Sequence, residues 1–191
     1  MLPRLALILV LTPLLAVAAD MQQAETGASI PAQAAADQLR SAAGAEIAFL
    51  PAGLIRDVYQ KNDLSSMLQY PTDDLVVLKI TGLVVRQAIE RSLSLYPQPN
   101  PSFLQLSGME VTFSAPIGGA KISSILVSGA GLQNDRVYEV AMPSSLARGG
   151  LGYFRLWDKK KIDRTASKNC GDTLKGKAFV ESSPRWVLQS F

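Results

Sequence analysis

The chain has 191 residues, with 19 Lys+Arg against 16 Asp+Glu, one Cys and no His, and 48% of it is apolar. That balance excludes disordered and collagen-like classes and suits one domain with a tail. Without His there is no His-based catalytic triad and no imidazole zinc site, and a single Cys permits neither an internal disulfide nor a Cys-rich zinc site.

Met1–Arg4 carries one positive charge, Leu5–Leu15 is apolar apart from Thr12 and Pro13, and Ala16-Val17-Ala18 has the small-x-small pattern of a signal-peptidase site. The run is shorter than the roughly 20 apolar residues of a spanning helix. Residues 1–19 are therefore expected to be a cleaved signal peptide, in preference to an uncleaved anchor. This implies export to a periplasmic or extracellular space, with no stable membrane anchor. Residues 20–32 are small, polar and aperiodic, and read as a flexible lead-in.

Gln33–Ala43 predicts an Ala-rich helix with Gly44 at its C-cap. Glu46–Leu50 predicts a short strand closed by Pro51, and Ala52–Asp57 a turn pivoting at Gly53. Asp63–Leu68 predicts one or two helical turns stopped at Tyr70-Pro71. Leu75–Ile80 (LVVLKI) is a buried-strand pattern, and Thr81 is placed to cap a helix carrying Val84, Val85, Ala88, Ile89 and Leu93. Three prolines in Pro97–Pro101 end it. Strands are then expected at Phe103–Leu106, Met109–Phe113, Lys121–Val127 and Val137–Met142, with Gly118-Gly119 as a hairpin turn. The order predicts an α+β single domain with a mixed β-sheet packed by helices. Trp157 and Trp186 are expected in a core or interface, and Trp186–Phe191 alternates well enough for an edge strand.

Charge divides at about residue 158. Residues 20–158 hold 10 basic and 13 acidic side chains, while 159–191 hold 8 and 3. The Lys159-Lys160-Lys161 run reads as a solvated segment. No aromatics interleave it as a nucleic-acid platform requires, so no nucleic-acid partner is expected. Cys170 has only Lys168 and Lys175 near it in sequence to lower its pKa.

Four co-linear stretches carry a resemblance: AEIAFLPAGLIR at 45–56, DLVVLKITGLVVRQA at 74–88, FLQLSGMEVTF at 103–113, and NDRVYEVAMPSSLARGGLGY at 134–153. In this order they resemble the C-terminal domain of the 5'-nucleotidase family, which includes UDP-sugar hydrolases, over about residues 33–157. The resemblance implies a domain at 33–158 followed by a basic C-terminal segment at 159–191. In that family a separate metallophosphoesterase domain holds two metals with Asp, His and Asn, while the C-terminal domain supplies the nucleotide pocket. The resemblance thus implies a stand-alone substrate-binding domain with no catalytic residue, metal or cofactor of its own. Its expected partners are a small nucleotide-like or anionic ligand, or a separate metallophosphoesterase chain.

Carried over residue by residue, the family's Asn-Gly-Gly-Gly-Ile-Arg-like turn stands here as Pro51-Ala52-Gly53-Leu54-Ile55-Arg56. Arg56 would meet a phosphate or carboxylate, or else pair with an acid such as Asp57. The family's first stacking aromatic follows a proline, whereas this chain reads Tyr70-Pro71, and Tyr70 is read as a packing residue in preference to a ring platform. The second stacking position is Ser145, and the ribose-binding position of the glycine loop is Leu151. Gly149, Gly150 and Gly152 are retained, as a tight backbone loop requires. The implied substrate-binding positions are thus Arg56, Tyr70, Ser145, Gly149 and Gly150, in a remodelled pocket. N-terminal sequencing of exported protein is expected to begin at Ala19 or Asp20, and material retaining Met1 would refute the leader.

Overall fold

Alanine costs no side-chain entropy in a helix, and the Ala-rich stretch forms the longest one, α1 (Ile30–Ala43), with Pro31 in its first turn and Gly44 left-handed at its C-cap. The computed structural model describes residues 23–56 and 58–189. After α1 come β1 (Ile47–Pro51), β2 (Asp74–Thr81), α2 (Gly82–Ser92), β3 (Leu104–Ser107), β4 (Met109–Ser114), β5 (Lys121–Val127) and β6 (Ala130–Gly131). β7 (Val137–Pro143), α3 (Ser144–Ala147), β8 (Ile162–Asn169), α4 (Cys170–Leu174) and β9 (Trp186–Leu188) complete the order. The expected signal peptide lies outside the described residues.

The α+β class with mixed strand directions holds, but the strands divide between two sheets. One has five strands in the order β3-β1-β7-β2-β8, and the other has four in the order β6-β5-β4-β9. In the first, β1 runs parallel to β7 and antiparallel to β3, while β2 lies antiparallel between β7 and β8. Leu75–Leu78 are buried at four successive positions, so both faces of β2 are covered. The second sheet is fastened to the first through rings. Trp186 lies 4.6 Å from Phe103 and 5.9 Å from Phe113 between centroids, and its indole N–H donates to the Leu104 carbonyl at 2.8 Å. Trp157 stacks on Tyr153 at 4.9 Å. Both tryptophans are core residues.

Three expectations need correction. Residues 23–29 are anchored, not loose: Ala24 is buried, and the Gln105 amide donates to the carbonyls of Ala24 and Gly27 at 2.8 Å each. Those partners are about eighty residues apart, out of reach of a local composition argument. Thr81 occupies the N-cap of α2 without a side-chain hydrogen bond to it.

The third correction concerns the sheet, which does not stop at 158: β8 pairs with β2, and β9 with β4. Strand β8 is polar and joins by charge. Lys79 meets Asp163 at 3.0 Å, Arg164 meets Glu139 at 2.9 Å, and Arg164 also donates to the Ala43 carbonyl at the end of α1. Hydrogen bonding to Arg164 holds the Glu139 carboxyl below its ordinary value, and hydrogen bonding to Lys79 does the same for Asp163. The folded chain therefore binds fewer protons than the unfolded chain in acid. This stabilisation is present above the unfolded carboxyl values, near pH 4, and is lost as pH falls through the lower folded ones. Urea denaturation across pH 7 to 2.5 should show an acid loss of stability that is visibly shallower in Arg164→Gln. Equal slopes in the two proteins would contradict the ion-pair account.

Candidate functional site

The turn after β1 is built by backbone pairing. Ala52 N–H donates to the Phe103 carbonyl and Gly53 N–H to that of Pro101, both at 2.8 Å, and Arg56 N–H donates to Met67 at 2.7 Å. The Arg56 backbone is thereby held while its side chain stays exposed. Gln69 closes the other side, its N–H donating to Leu54 at 3.0 Å and its side-chain amide to Ile55 at 3.2 Å. Ile55, Arg56, Gln69 and Tyr70 together line an open recess of about 460 Å³. Among the described residues the Arg56 guanidinium has no ion-pair or hydrogen-bond partner; Asp57, the alternative partner, lies outside them. Tyr70 is 58% exposed, which overturns its reading as a packing residue. The neighbouring Pro71 is exposed as well, and its carbonyl accepts from Gly171 N–H at 2.7 Å.

Ser145, Gly149 and Gly150 do not line this recess. They belong to α3 and the loop after it, which is tied to the recess at two points. The first tie is Asp73, three residues beyond Tyr70. Its carboxylate accepts from the Ser144 hydroxyl and from the Ser145 backbone N–H at 3.1 and 3.2 Å. A carboxylate there satisfies backbone donors that the start of α3 would otherwise leave open. The Ser145 hydroxyl is itself buried with no partner among the described residues.

Leu151 is the second tie. Its Cδ2 lies 3.1 Å from where a Cβ on Gly53 would stand, so the side chain rests on the turn leading to Arg56. Its carbonyl accepts from Arg91 Nη2 at 2.6 Å, Arg91 Nε at 3.2 Å and the Ser102 hydroxyl at 2.8 Å. Gly149 has φ +90°, and a Cβ there would stand 2.6 Å from Phe154 Cα; at Gly150 it would stand 2.6 Å from the Ser145 carbonyl. Both glycines are steric requirements of the loop.

Gln69, Asp73 and Arg91 are the positions that sequence reasoning missed. Asp73 carried one local signal, an acid immediately outside a strand, but its partner lies 72 residues away. Cys170 is buried, and burial together with the charges of Asp73 and Asp74 pushes its thiol up to about 12. Its sequence neighbours Lys168 and Lys175 do not set its chemistry.

This is a mixed-sheet domain that presents an exposed arginine and an exposed tyrosine on braced loops. The chain belongs to the 5'-nucleotidase C-terminal domain family: a family model described as "5'-nucleotidase, C-terminal domain" matches residues 11–157. It is 33% identical over 128 residues to the snake venom 5'-nucleotidase of Naja atra, a match covering 60% of this chain and 24% of that protein. It is 29% identical over 153 residues to an apyrase of Anopheles gambiae, covering 75% and 26%. The chain thus spans about a quarter of the length of these relatives.

Among solved structures, a 5'-nucleotidase precursor of Thermus thermophilus superposes with TM-score 0.70 at 20% identity, covering 90% of this chain and 38% of that one. The NAD nucleotidase of Haemophilus influenzae gives 0.64 at 16%, covering 85% and 33%. At such identities the likeness is one of fold.

Asp73→Ala leaves the Ser144 hydroxyl and the Ser145 N–H without their acceptor. We expect it to lower unfolding free energy by about 1–3 kcal/mol in urea titration. A change below about 0.5 kcal/mol would mean that Asp73 does not brace the loop.

Proposed function

We propose that this chain is a ligand- or protein-binding module of the 5'-nucleotidase C-terminal type, non-catalytic by itself and with a remodelled nucleotide pocket. The observation that carries the reading is the recess at Arg56 and Tyr70: a planar cation without a partner among the described residues and one exposed ring, with a serine in place of a second ring at 145. The Arg56 fork suits a phosphate or carboxylate. A missing base–aromatic stack forfeits roughly 1–3 kcal/mol, one to two orders of magnitude in affinity. Leu151 packs against Gly53 and offers a ligand no side-chain acceptor, so sugar hydroxyls gain nothing from it.

Hydrolysis in this family is metal chemistry, and the residues present do not fit a metal pair. The sequence has no His, and among the described residues no three of Cys, Asp and Glu gather as ligands. No step through a metal is assigned to this polypeptide.

A second reading is the substrate-binding half of a split 5'-nucleotidase, working in trans with a separate metallophosphoesterase chain in nucleotide catabolism. It rests on the likeness to proteins named 5'-nucleotidase and apyrase, of which the matched region is about a quarter. We place either form outside the cytoplasm, by way of the leader at residues 1–19. Among the described residues no helix is long and apolar enough to cross a membrane.

Calorimetry of the purified mature protein with AMP and UDP-glucose, paired with phosphate release in added divalent metal, tests these readings. We expect no saturable binding at micromolar concentration and no phosphate. Micromolar AMP binding that Arg56→Ala abolishes would overturn the remodelled pocket, and metal-dependent phosphate release by the pure chain would overturn its inertness. Release confined to material co-purified from the native host would favour the split enzyme.

A further inference from the structure

A second recess, of about 350 Å³, opens where the two sheets meet. Its walls come from α1, the corner between β3 and β4, the turn after β5, and Arg185 just before β9. None of the residues at Arg56 and Tyr70 contributes to it.

Gly108 forms the corner with φ +75°. A Cβ there would stand 2.1 Å from the Glu46 carbonyl oxygen and 2.9 Å from Cδ of Arg40, whose stem crosses the corner, so the close approach requires glycine. Arg40 Nε then donates to the hydroxyl of Ser107 at 2.8 Å. Ser107 is fully buried and donates in turn to Asp37 Oδ1 at 2.5 Å. The other oxygen of Asp37 accepts from Arg185 Nη2 at 2.8 Å, while Arg185 Nη1 donates to the Leu106 carbonyl at 3.0 Å. This chain of bonds immobilises both guanidiniums before any ligand arrives, which lowers the ordering cost of binding.

The charges in the recess do not cancel by contact. Asp37 spends both oxygens on the network and pairs with Arg185. Among the described residues Arg40 Nη1 and Nη2 have no partner, and neither has the carboxylate of Glu110 on β4. Arg40 and Glu110 line the same recess without forming an ion pair. A fixed fork of two N–H donors on one side, and an unpaired acceptor on the other, fit a small molecule that bears both charges.

We propose that this recess binds a small zwitterion of the α-amino acid type. Its carboxylate lies end-on against Arg40 and its ammonium group against Glu110. A simple carboxylate satisfies only the arginine. A phosphate dianion meets the same arginine but is repelled by the free Glu110 carboxylate.

The test is a titration of the ¹⁵N-labelled mature protein, following the arginine Nε–H resonances, with glycine, sodium acetate and inorganic phosphate in separate arms. Glycine should shift the Arg40 signal saturably, with affinity about two- to fivefold above acetate, the range of one exposed charge pair. Glu110→Gln should reduce glycine to the acetate value. Glu110 is exposed and without a partner among the described residues, so this variant keeps the fold and the Arg40 signal that reports binding. Arg56→Ala should leave the response intact, which separates this site from the recess at Tyr70. The proposal is overturned by no saturable shift with glycine, by phosphate binding as tightly as glycine, or by a glycine response unchanged in Glu110→Gln.

Discussion

Seven consecutive residue pairs between β2 and β7, from Leu75 opposite Pro143 to Thr81 opposite Val137, set the geometry of everything around them. A one-residue slip would carry Asp74 or Lys79 into one of the buried positions now held by Leu75–Leu78. With the register held by that burial, the residues just outside it have no freedom either. Asp73 comes to lie beside Ser144 and Ser145, because it directly precedes β2 while the two serines directly follow β7. At the far end Gly82 N–H meets the Arg136 carbonyl, and α2 begins there. From the last turn of α2, Arg91 reaches the carbonyl of Leu151.

The candidate site therefore rests on loops that are braced from three directions: Asp73 from β2, Arg91 from α2 and the Leu151 side chain against the first turn. Such bracing suits recognition, since a side chain held before binding loses less entropy on binding. Chemically, however, the groups offered are few. A guanidinium and a phenol ring bind an anion and a flat surface, and they do not by themselves activate water. The scaffold is that of the 5'-nucleotidase C-terminal domain family.

Elements whose signal is local were legible in the sequence. The Ala-rich run with Gly44, the β-branched run at 75–80 and the Gly118-Gly119 hairpin each carry propensity, periodicity or a turn residue within a few positions of one another. Strand β8, IDRTASKN, carries none of these. It is held by Lys79, Glu139 and the carbonyl of Ala43, partners contributed by β2, β7 and α1. The anchoring of residues 23–29 by Gln105 was hidden for the same reason. At the site, Arg56 was legible as a residue type in a glycine-bearing turn. The outward position of Tyr70 was not, because the segment is held by long-range bonds such as that from Gly171 N–H to the Pro71 carbonyl, a hundred residues on.

The amino-acid sequence by itself determined what chemistry this polypeptide can hold: without histidine, and with a single cysteine, its polar ligand-facing groups are drawn from carboxylates, guanidiniums, ammonium groups, amides, hydroxyls and rings. It also determined the α+β class, since hydrophobic periodicity is a property of neighbours along the chain. Only the tertiary structure decided which of those groups face solvent together. Arg56 and Tyr70 line one recess, Arg40 is bonded to the buried Ser107, and Cys170 is buried. Such proximity is set by strand register and by long-range hydrogen bonds, neither of which leaves a trace in local composition.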